Sequence, residues 1–317
     1  MKILYIDHGG VVSDSHMYQY YGDLYRELKS LAQVILYEGP VDDINRILRF
    51  YPPVDCVVFG LGYFAQSNPQ VYRKIPGLSE LSIPVVAMLH KPQNLLAEKL
   101  EFCKINNMDL LLDSQSTYKK HGEIAGIKAT RSWFTATPNV YHPRDVKKSY
   151  DLGFCGALHG NGKIQGKTKD LRVKIHNLLD SNHINTYWNA SNTLDYRINS
   201  TEEYATKINE CKLWLATTGP TEDVSPRFFE VMLSKTLLFC NEMPEQYGDV
   251  FEDGFNCVTF KNDLSDFMEK LVYYLEDEAA RALIIERAYK FCLGDYTWKH
   301  MALNLLEEIK GIKNDRV

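Results

Sequence analysis

The sequence predicts an α/β protein made of two successive halves, each a parallel sheet flanked by helices. Three observations carry this. Short apolar runs alternate with amphipathic helical stretches, the sign of repeated βα units. The alternation breaks at Thr137-Pro138-Asn139-Val140-Tyr141-His142-Pro143-Arg144-Asp145, a polar, two-proline stretch that reads as a linker, and then restarts. At 317 residues the chain has room for two domains of ordinary size.

In the first half, strands are expected at Lys2–Asp7, Val34–Tyr37, Cys56–Gly60, Pro84–His90, Asp109–Asp113 and Lys128–Trp133. Helices are expected between them at Ser15–Ala32, Asp42–Phe50, Pro92–Asn106 and Ser116–Ala125. After the break, strands are expected at Tyr150–Cys155, Ile184–Trp188, Leu213–Thr217, Thr236–Asn241 and Cys257–Phe260. Helices should fill Lys169–Asp180, Ser200–Cys211 and Ser225–Ser234, with a helical tail from Leu264 to Lys310 broken near Gly294-Asp295. Ser200-x-x-Glu203 is a capping box and fixes one helix start. In paired α/β halves a ligand belongs at the carboxyl ends of the strands, facing the gap between domains.

Composition narrows the class. Hydrophobic residues make up 45% and charged residues 24%, the balance of a soluble globular protein. No apolar run approaches the ~20 residues a membrane helix needs. The opening Met1-Lys2-Ile3-Leu4-Tyr5-Ile6 is cut short by Asp7 and His8, so it reads as a first strand rather than a signal peptide, and a cytoplasmic location is expected. A net charge of −5, with no long basic run, argues against a dedicated nucleic-acid surface. The seven cysteines are scattered without a C-x-x-C pair and read as reduced core thiols.

The stretch Thr218-Gly219-Pro220-Thr221-Glu222-Asp223-Val224-Ser225-Pro226-Arg227-Phe228-Phe229-Glu230 carries the most chemistry. It leaves a strand and enters a helix. Ser225 suits the N-cap and Pro226 the first helical position. The free amides and positive dipole end then make an anion site, which Arg227 strengthens. Glu230, in the second turn, leans back toward the helix start and can accept from the two hydroxyls of a ribose. Glu222 precedes the helix, within reach of sugar hydroxyls beside the phosphate. The bland alternative makes Glu222 a solvated loop charge and Glu230 a helix-face charge.

Glu222 and Glu230 have seven residues between them, and this spacing resembles the E-x7-E signature of the retaining, family 4-like glycosyltransferases (group 1) of the GT-B fold. The following Arg227-Phe228-Phe229-Glu230 resembles the R-x-F-E segment of their spore-maturation-type branch. Other segments fit in the same order. His8-Gly9-Gly10 is similar to the glycine-rich turn that lets the first domain approach the donor. Ala87-Met88-Leu89-His90 is similar to the strand end that sets a histidine over the sugar, although a lone strand-end histidine can equally be a packed core residue. Leu111-Leu112-Asp113-Ser114 resembles a D-x-x-S turn. Thr137-Pro138-Asn139-Val140 resembles the P-N-G-V junction, with Tyr141 departing from the acidic residue found near it. Phe251–Val258 and Asp295-Tyr296-Thr297-Trp298 resemble the last loop and the final crossing helix.

His159-Gly160-Asn161-Gly162-Lys163-Ile164-Gln165-Gly166-Lys167-Thr168 looks like a phosphate-binding P-loop, but Asn161 stands where the first glycine is required. In the glycosyltransferase reading Gly156 opens this loop, and Lys163, Lys167, Lys169 or Arg172 neutralises the diphosphate. No D-x-D triplet occurs, which fits a donor held without metal or cofactor. A helix start and fixed cations can stabilise the departing diphosphate. A continuously helical segment would set Glu222 and Glu230 about 12 Å apart, too far for a glycosidase acid/base pair. They are better placed holding the donor.

The resemblance therefore implies two Rossmann-like domains facing each other across a cleft. Residues 1–143, joined by the helix 296–317, form the acceptor side, and 144–295 form the nucleotide-sugar donor side. The expected activity is metal-independent transfer of a hexose from a GDP-hexose such as GDP-mannose, or from a UDP-hexose, with retained configuration. Family breadth tilts the base slightly to GDP. Glu222 and His90 are the expected catalytic side chains. Gly9, Gly10, Gly156, Lys163, Lys169, Arg172, Ser225, Pro226, Arg227 and Glu230 are the expected donor contacts. The acceptor, a glycan, lipid or protein, and a homodimeric state stay open. The alternatives are a non-catalytic or epimerising nucleotide-sugar-binding protein of this fold, and a P-loop-type nucleotide hydrolase.

Overall fold

The computed structural model describes residues 1–8, 11, 19–158, 163–190, 198, 200–219 and 221–315. The chain divides into two compact units, Met1–Trp133 with Trp298–Val317, and Phe134–Thr297.

The first unit carries one six-stranded sheet: β1 (Lys2–Ile6), β2 (Gln33–Tyr37), β3 (Cys56–Phe59), β4 (Val85–Met88), β5 (Leu110–Asp113) and β6 (Lys128–Arg131). Every pair is parallel and the order is β2-β1-β3-β4-β5-β6. Strands β3, β4 and β5 are buried at every residue, as parallel strands covered on both faces must be. The helices of this unit are α1 (Gln19–Leu31), α2 (Ile44–Leu48), α3 (Leu61–Phe64), α4 (Leu96–Ile105) and α5 (Tyr118–Ala125).

The second unit repeats the plan with β7 (Tyr150–Gly156), β8 (Thr186–Ala190), β9 (Cys211–Ala216), β10 (Leu237–Asn241) and β11 (Val258–Phe260), ordered β11-β10-β9-β7-β8 and all parallel. Its helices are α6 (Lys163–Ser181), α7 (Thr201–Asn209), α8 (Pro226–Leu233), α9 (Phe267–Glu276) and α10 (Glu278–Asp295). The last helix, α11 (Trp298–Asp315), belongs to the first unit. Its Glu308 accepts from Lys128 Nζ at 2.8 Å and Thr130 Oγ1 at 3.0 Å, and Lys313 meets Asp55 at 2.7 Å. Among the described residues no helix is long and apolar enough to cross a membrane. All seven cysteines are free thiols.

The departures from expectation have local causes. Helix α6 begins at Lys163, six residues before the expected Lys169, so Gly166-Lys167-Thr168 lies inside a helix. That corrects the P-loop alternative, because a P-loop wraps phosphate with non-helical glycine backbone ahead of its helix. Residues 159–162 lie outside the described residues. Helix α4 starts at Leu96 rather than Pro92, since Lys91 (φ 49°) and Leu95 (φ 56°) adopt left-handed backbone. The tail breaks at Asp277 and again at Tyr296-Thr297, while Gly294 and Asp295 still close α10. Helix α3 was not expected: its four residues are all buried, so no polar face marks a helical period.

Candidate functional site

In the second unit the strand order reverses at β7. The chain steps outward from β7 to β8, then crosses back to β9 on the other side of β7. The carboxyl ends of β7 and β9 therefore frame a topological switch point, where open α/β sheets bind ligands. Gly156 ends β7, and the loop 217–225 leaves β9 for α8.

That loop is held from both sides. The Thr218 amide donates to Asn241 Oδ1 at 2.8 Å, and Asn241 Nδ2 donates to Thr218 Oγ1 at 3.1 Å. A tight turn follows, with the Glu222 amide on the Gly219 carbonyl at 3.0 Å and the Gly219 amide on the Asp223 carbonyl at 2.8 Å. A Cβ on Gly219 would lie 2.3 Å from Asp223 Oδ1, so a side chain there would push the Asp223 carboxylate from its place. Glu222 sits at the exposed tip with φ 58°, a left-handed conformation that costs a non-glycine residue free energy.

Ser225 takes the N-cap position of α8 and Pro226 the first helical position. The expected side-chain cap is absent: Ser225 Oγ makes no bond to the helix amides and is buried without a partner. Its hydroxyl is free to meet a ligand at the helix start.

Arg172 and Arg227 converge on one aromatic ring. Their guanidinium carbons stand 5.4 Å and 5.5 Å from the Phe154 ring centre, within cation–π range. Arg172 is 3% exposed, donates from Nε to Thr217 Oγ1 at 2.8 Å and also holds the Ala157 carbonyl. Burial, followed by the positive charge of Arg227, pushes its pKa down to about 9, so it remains charged at neutral pH. Arg227 interacts electrostatically with the Tyr204 hydroxyl, and its buried Nε has no hydrogen-bond partner. Burial acts to lower its pKa, but Tyr204, Cys155 and Glu230 together hold it above the ordinary arginine value. Among the described residues neither guanidinium lies within ion-pair distance of a carboxylate. A Cβ on Gly156 would come within 3.0 Å of Arg227 Nη2, so glycine there admits the guanidinium against the strand.

Glu230 is only 5% exposed, so it is not a solvated helix-face charge. It acts electrostatically on both Arg227 and Tyr204, whose phenol is raised well above its ordinary pKa by burial first and Glu230 second. Thus Arg172, Ser225, Pro226, Arg227, Glu230 and Gly156 gather around the switch point, with Glu222 on the adjoining turn. Lys163 and Lys169 lie in the first turns of α6, and their side chains fall outside the described residues.

The first unit has its own switch point between β1 and β3. Gly9 and Gly10 follow it and lie outside the described residues. Asp7, fully buried, accepts from the His8 amide at 2.6 Å through Oδ1, while its Oδ2 has no hydrogen-bond partner. Burial raises its carboxyl to about 7 against the lowering effect of the neighbouring His8 and Gly62 amides, the Tyr5 hydroxyl and the Tyr63 amide. A Cβ on Gly60 or Gly62 would come within 2.3 Å or 2.1 Å of its oxygens, so both glycines make its cradle. His8 stacks on Tyr63 at 5.3 Å beside a cavity of about 390 Å³ that Glu38, Asp42, Gln70 and Arg73 also line. His90 follows β4, half-buried, with its ring edge-on to Tyr21 at 5.5 Å. Burial first, then Lys91 and Lys99, pushes its pKa down to about 3, so the imidazole is neutral at physiological pH. Among the described residues no three His, Cys, Asp or Glu side chains gather as a metal site.

Residues 159–307 match the family model described as glycosyl transferase-like. The chain has the fold of the GT-B glycosyltransferases, and its second half matches that family model. Solved structures of this fold superpose on it over most of both chains. Anabaena Alr3699/HepE in complex with UDP has a TM-score of 0.64 at 12% identity, covering 98% of this chain and 100% of the other. Sucrose-phosphate synthase from Thermosynechococcus elongatus gives 0.65 at 9% identity, over 98% and 99%. T4 phage β-glucosyltransferase gives 0.57 at 10% identity, over 98% and 99%. No curated protein sequence matches the chain. Phe154, Tyr204 and Asp7 are members of the two switch-point clusters that motif reading passed over. Phe154 and Tyr204 look like ordinary apolar positions of a strand and a helix, and only the position of Asp7 at the end of β1 gave any signal.

Proposed function

We propose that the second unit binds a nucleoside diphosphate hexose and that the enzyme transfers the hexose without a metal ion, retaining its configuration. The observation that carries this reading is the buried Arg172–Arg227 pair on Phe154. Two guanidiniums without a carboxylate at ion-pair distance, beside an N-terminal helix end and an orphaned Ser225 hydroxyl, are a site that an anion completes. A diphosphate matches it in charge and acceptor number, and the same cations stabilise the charge that develops as the diphosphate departs. Glu230 takes the ribose hydroxyls from its buried place one turn behind. Glu222, on the strained turn, takes hydroxyls of the hexose, and the leaving phosphate receives the acceptor's proton.

The first unit takes the acceptor role, with neutral His90 as its side chain at the reacting sugar. The complexes of Alr3699/HepE with UDP and with UDP-glucose support a UDP-hexose as first choice, with GDP-mannose as the other donor to test. A cytoplasmic location fits the use of such a donor.

Calorimetry with UDP-glucose and GDP-mannose in EDTA tests the reading, beside chromatography of donor consumption. Binding in the micromolar to millimolar range with EDTA present is expected. Glu222→Gln should leave free nucleotide affinity intact while turnover falls roughly 10²-fold, as for one preorganised polar contact of a transition state. Strict dependence on Mg²⁺ or Mn²⁺ for binding and turnover overturns the metal-free mechanism.

A further inference from the structure

Lys99 stands where a helix should present an apolar residue. It lies on the buried face of α4 with Leu100, Phe102 and Cys103, and its side chain is 0% exposed. A buried ammonium without a counter-ion is costly, and no carboxylate lies within ion-pair distance of it among the described residues. Its partners are two main-chain carbonyls: Nζ donates to His90 O at 2.8 Å and to Lys91 O at 2.9 Å. The Tyr72 ring, 5.8 Å from Nζ, takes another side of the charge.

Those carbonyls belong to the segment that departs from regular backbone. Lys91 (φ 49°) and Leu95 (φ 56°) both adopt left-handed conformations, unfavourable for residues with a side chain. Helix α4 then starts without any side-chain cap. The Asn94 amide on the Lys91 carbonyl (3.0 Å) and the Lys99 amide on the Leu95 carbonyl (3.0 Å) are the local backbone bonds of the segment. Together they leave the strained turn short of internal support. The ammonium supplies it from beneath, and the peptide it grips is that of His90.

We propose that Lys99 is a positioning residue: its buried ammonium pins the loop between β4 and α4 and thereby fixes the place of His90. This rests on the reading of His90 as the side chain at the reacting sugar. A methionine of similar length keeps the stem's packing but donates no hydrogen bond, so the loop loses both anchors while α4 keeps its buried face.

Two measurements on the intact chain separate the pin from the reading it rests on. In hydrogen exchange, Lys99→Met should speed exchange of the 90–95 amides by about tenfold or more, with β1, β3 and β5 unchanged. Uniform acceleration across the first unit, or none in the loop, overturns the pin. In donor consumption with UDP-glucose, Lys99→Met should lower kcat about tenfold or more with UDP affinity within about twofold, since UDP is assigned to the other unit. The same change made in a His90→Ala background should have no further effect. An equal further loss there shows general damage and overturns the proposal. Lys99→Arg, which can still donate to both carbonyls, should recover part of kcat. If His90→Ala alone leaves turnover unchanged while the loop exchange still responds to Lys99→Met, the role of His90 fails and the pin stands.

Discussion

The two units treat buried charge in opposite ways. In the first, the Lys99 ammonium is held by the carbonyls of His90 and Lys91. In the second, Arg172 and Arg227 share the Phe154 ring; Arg172 has only neutral oxygens as hydrogen-bond partners, and Arg227 Nε and Ser225 Oγ have none. A charge wrapped by its own backbone shapes a loop and asks nothing of solvent. A cation pair left open asks for an anion. On the proposed reading this contrast separates framework from binding site: the Lys99 ammonium is matched within the fold, whereas leaving a buried polar group unmatched costs about 1–3 kcal/mol.

The largest effect that tests this contrast is one of pH. Asp7 holds its proton in the folded chain up to about pH 7, whereas the unfolded chain releases it near 3.8. The folded state therefore binds more protons between those values, and the contribution of Asp7 to stability falls as pH rises from about 4 to 7. At ~1.4 kcal/mol per unit the loss has an upper bound on the order of 4 kcal/mol. Denaturant melts should find Asp7→Asn less dependent on pH than the parent, and more stable relative to it at pH 8 than at pH 5. A parallel pair of profiles would mean that Asp7 is ionised in the fold throughout this range.

Next comes the open site. Arg227→Met should weaken UDP binding by about 3 kcal/mol, the upper range for a hydrogen bond to a charged group, and abolish the rise in Tm that pyrophosphate gives the parent. Lys99→Met should keep that rise. Loss of the pyrophosphate effect in both variants would erase the distinction between the units.

Glu230→Ala sharpens the picture inside the second unit. Its burial beside Arg227 and Tyr204 makes it more than a surface charge, and ribose recognition predicts a loss of ~1.5–3 kcal/mol for free UDP. Calorimetry with pyrophosphate should find no such loss, because pyrophosphate has no ribose. Equal losses for both ligands would assign Glu230 to holding Arg227 instead.

The smallest effect concerns Ser225. Removing an N-cap serine ordinarily destabilises by about 1 kcal/mol. Ser225 makes no cap bond, so Ser225→Ala should change stability without ligand by less than about 0.5 kcal/mol. UDP affinity should still fall by about 1 kcal/mol, one ordinary hydrogen bond. A full capping loss in the unliganded chain would show the hydroxyl bound to its own helix.

What the sequence determined by itself was whatever depends on local period and turn chemistry. Apolar runs such as Val57-Val58-Phe59 and Leu110-Leu111-Leu112, rich in Val and Leu and bounded by turn residues, read as strands of a doubly covered sheet. Ser225-Pro226 marks a helix start, and the passage from strand through Glu222 into the helix that carries Arg227 was legible in its turn and cap residues. The tertiary structure alone decided what depends on neighbours distant in the chain. Phe154 becomes a platform only because Arg172 and Arg227 reach it from α6 and α8. Asp7 titrates near neutrality only because Gly60 and Gly62 close around it, and Lys99 is a pin rather than a surface lysine only because α4 turns it inward. Period and propensity act over a few residues, whereas desolvation and charge pairing are set by whatever the fold brings within a few ångströms.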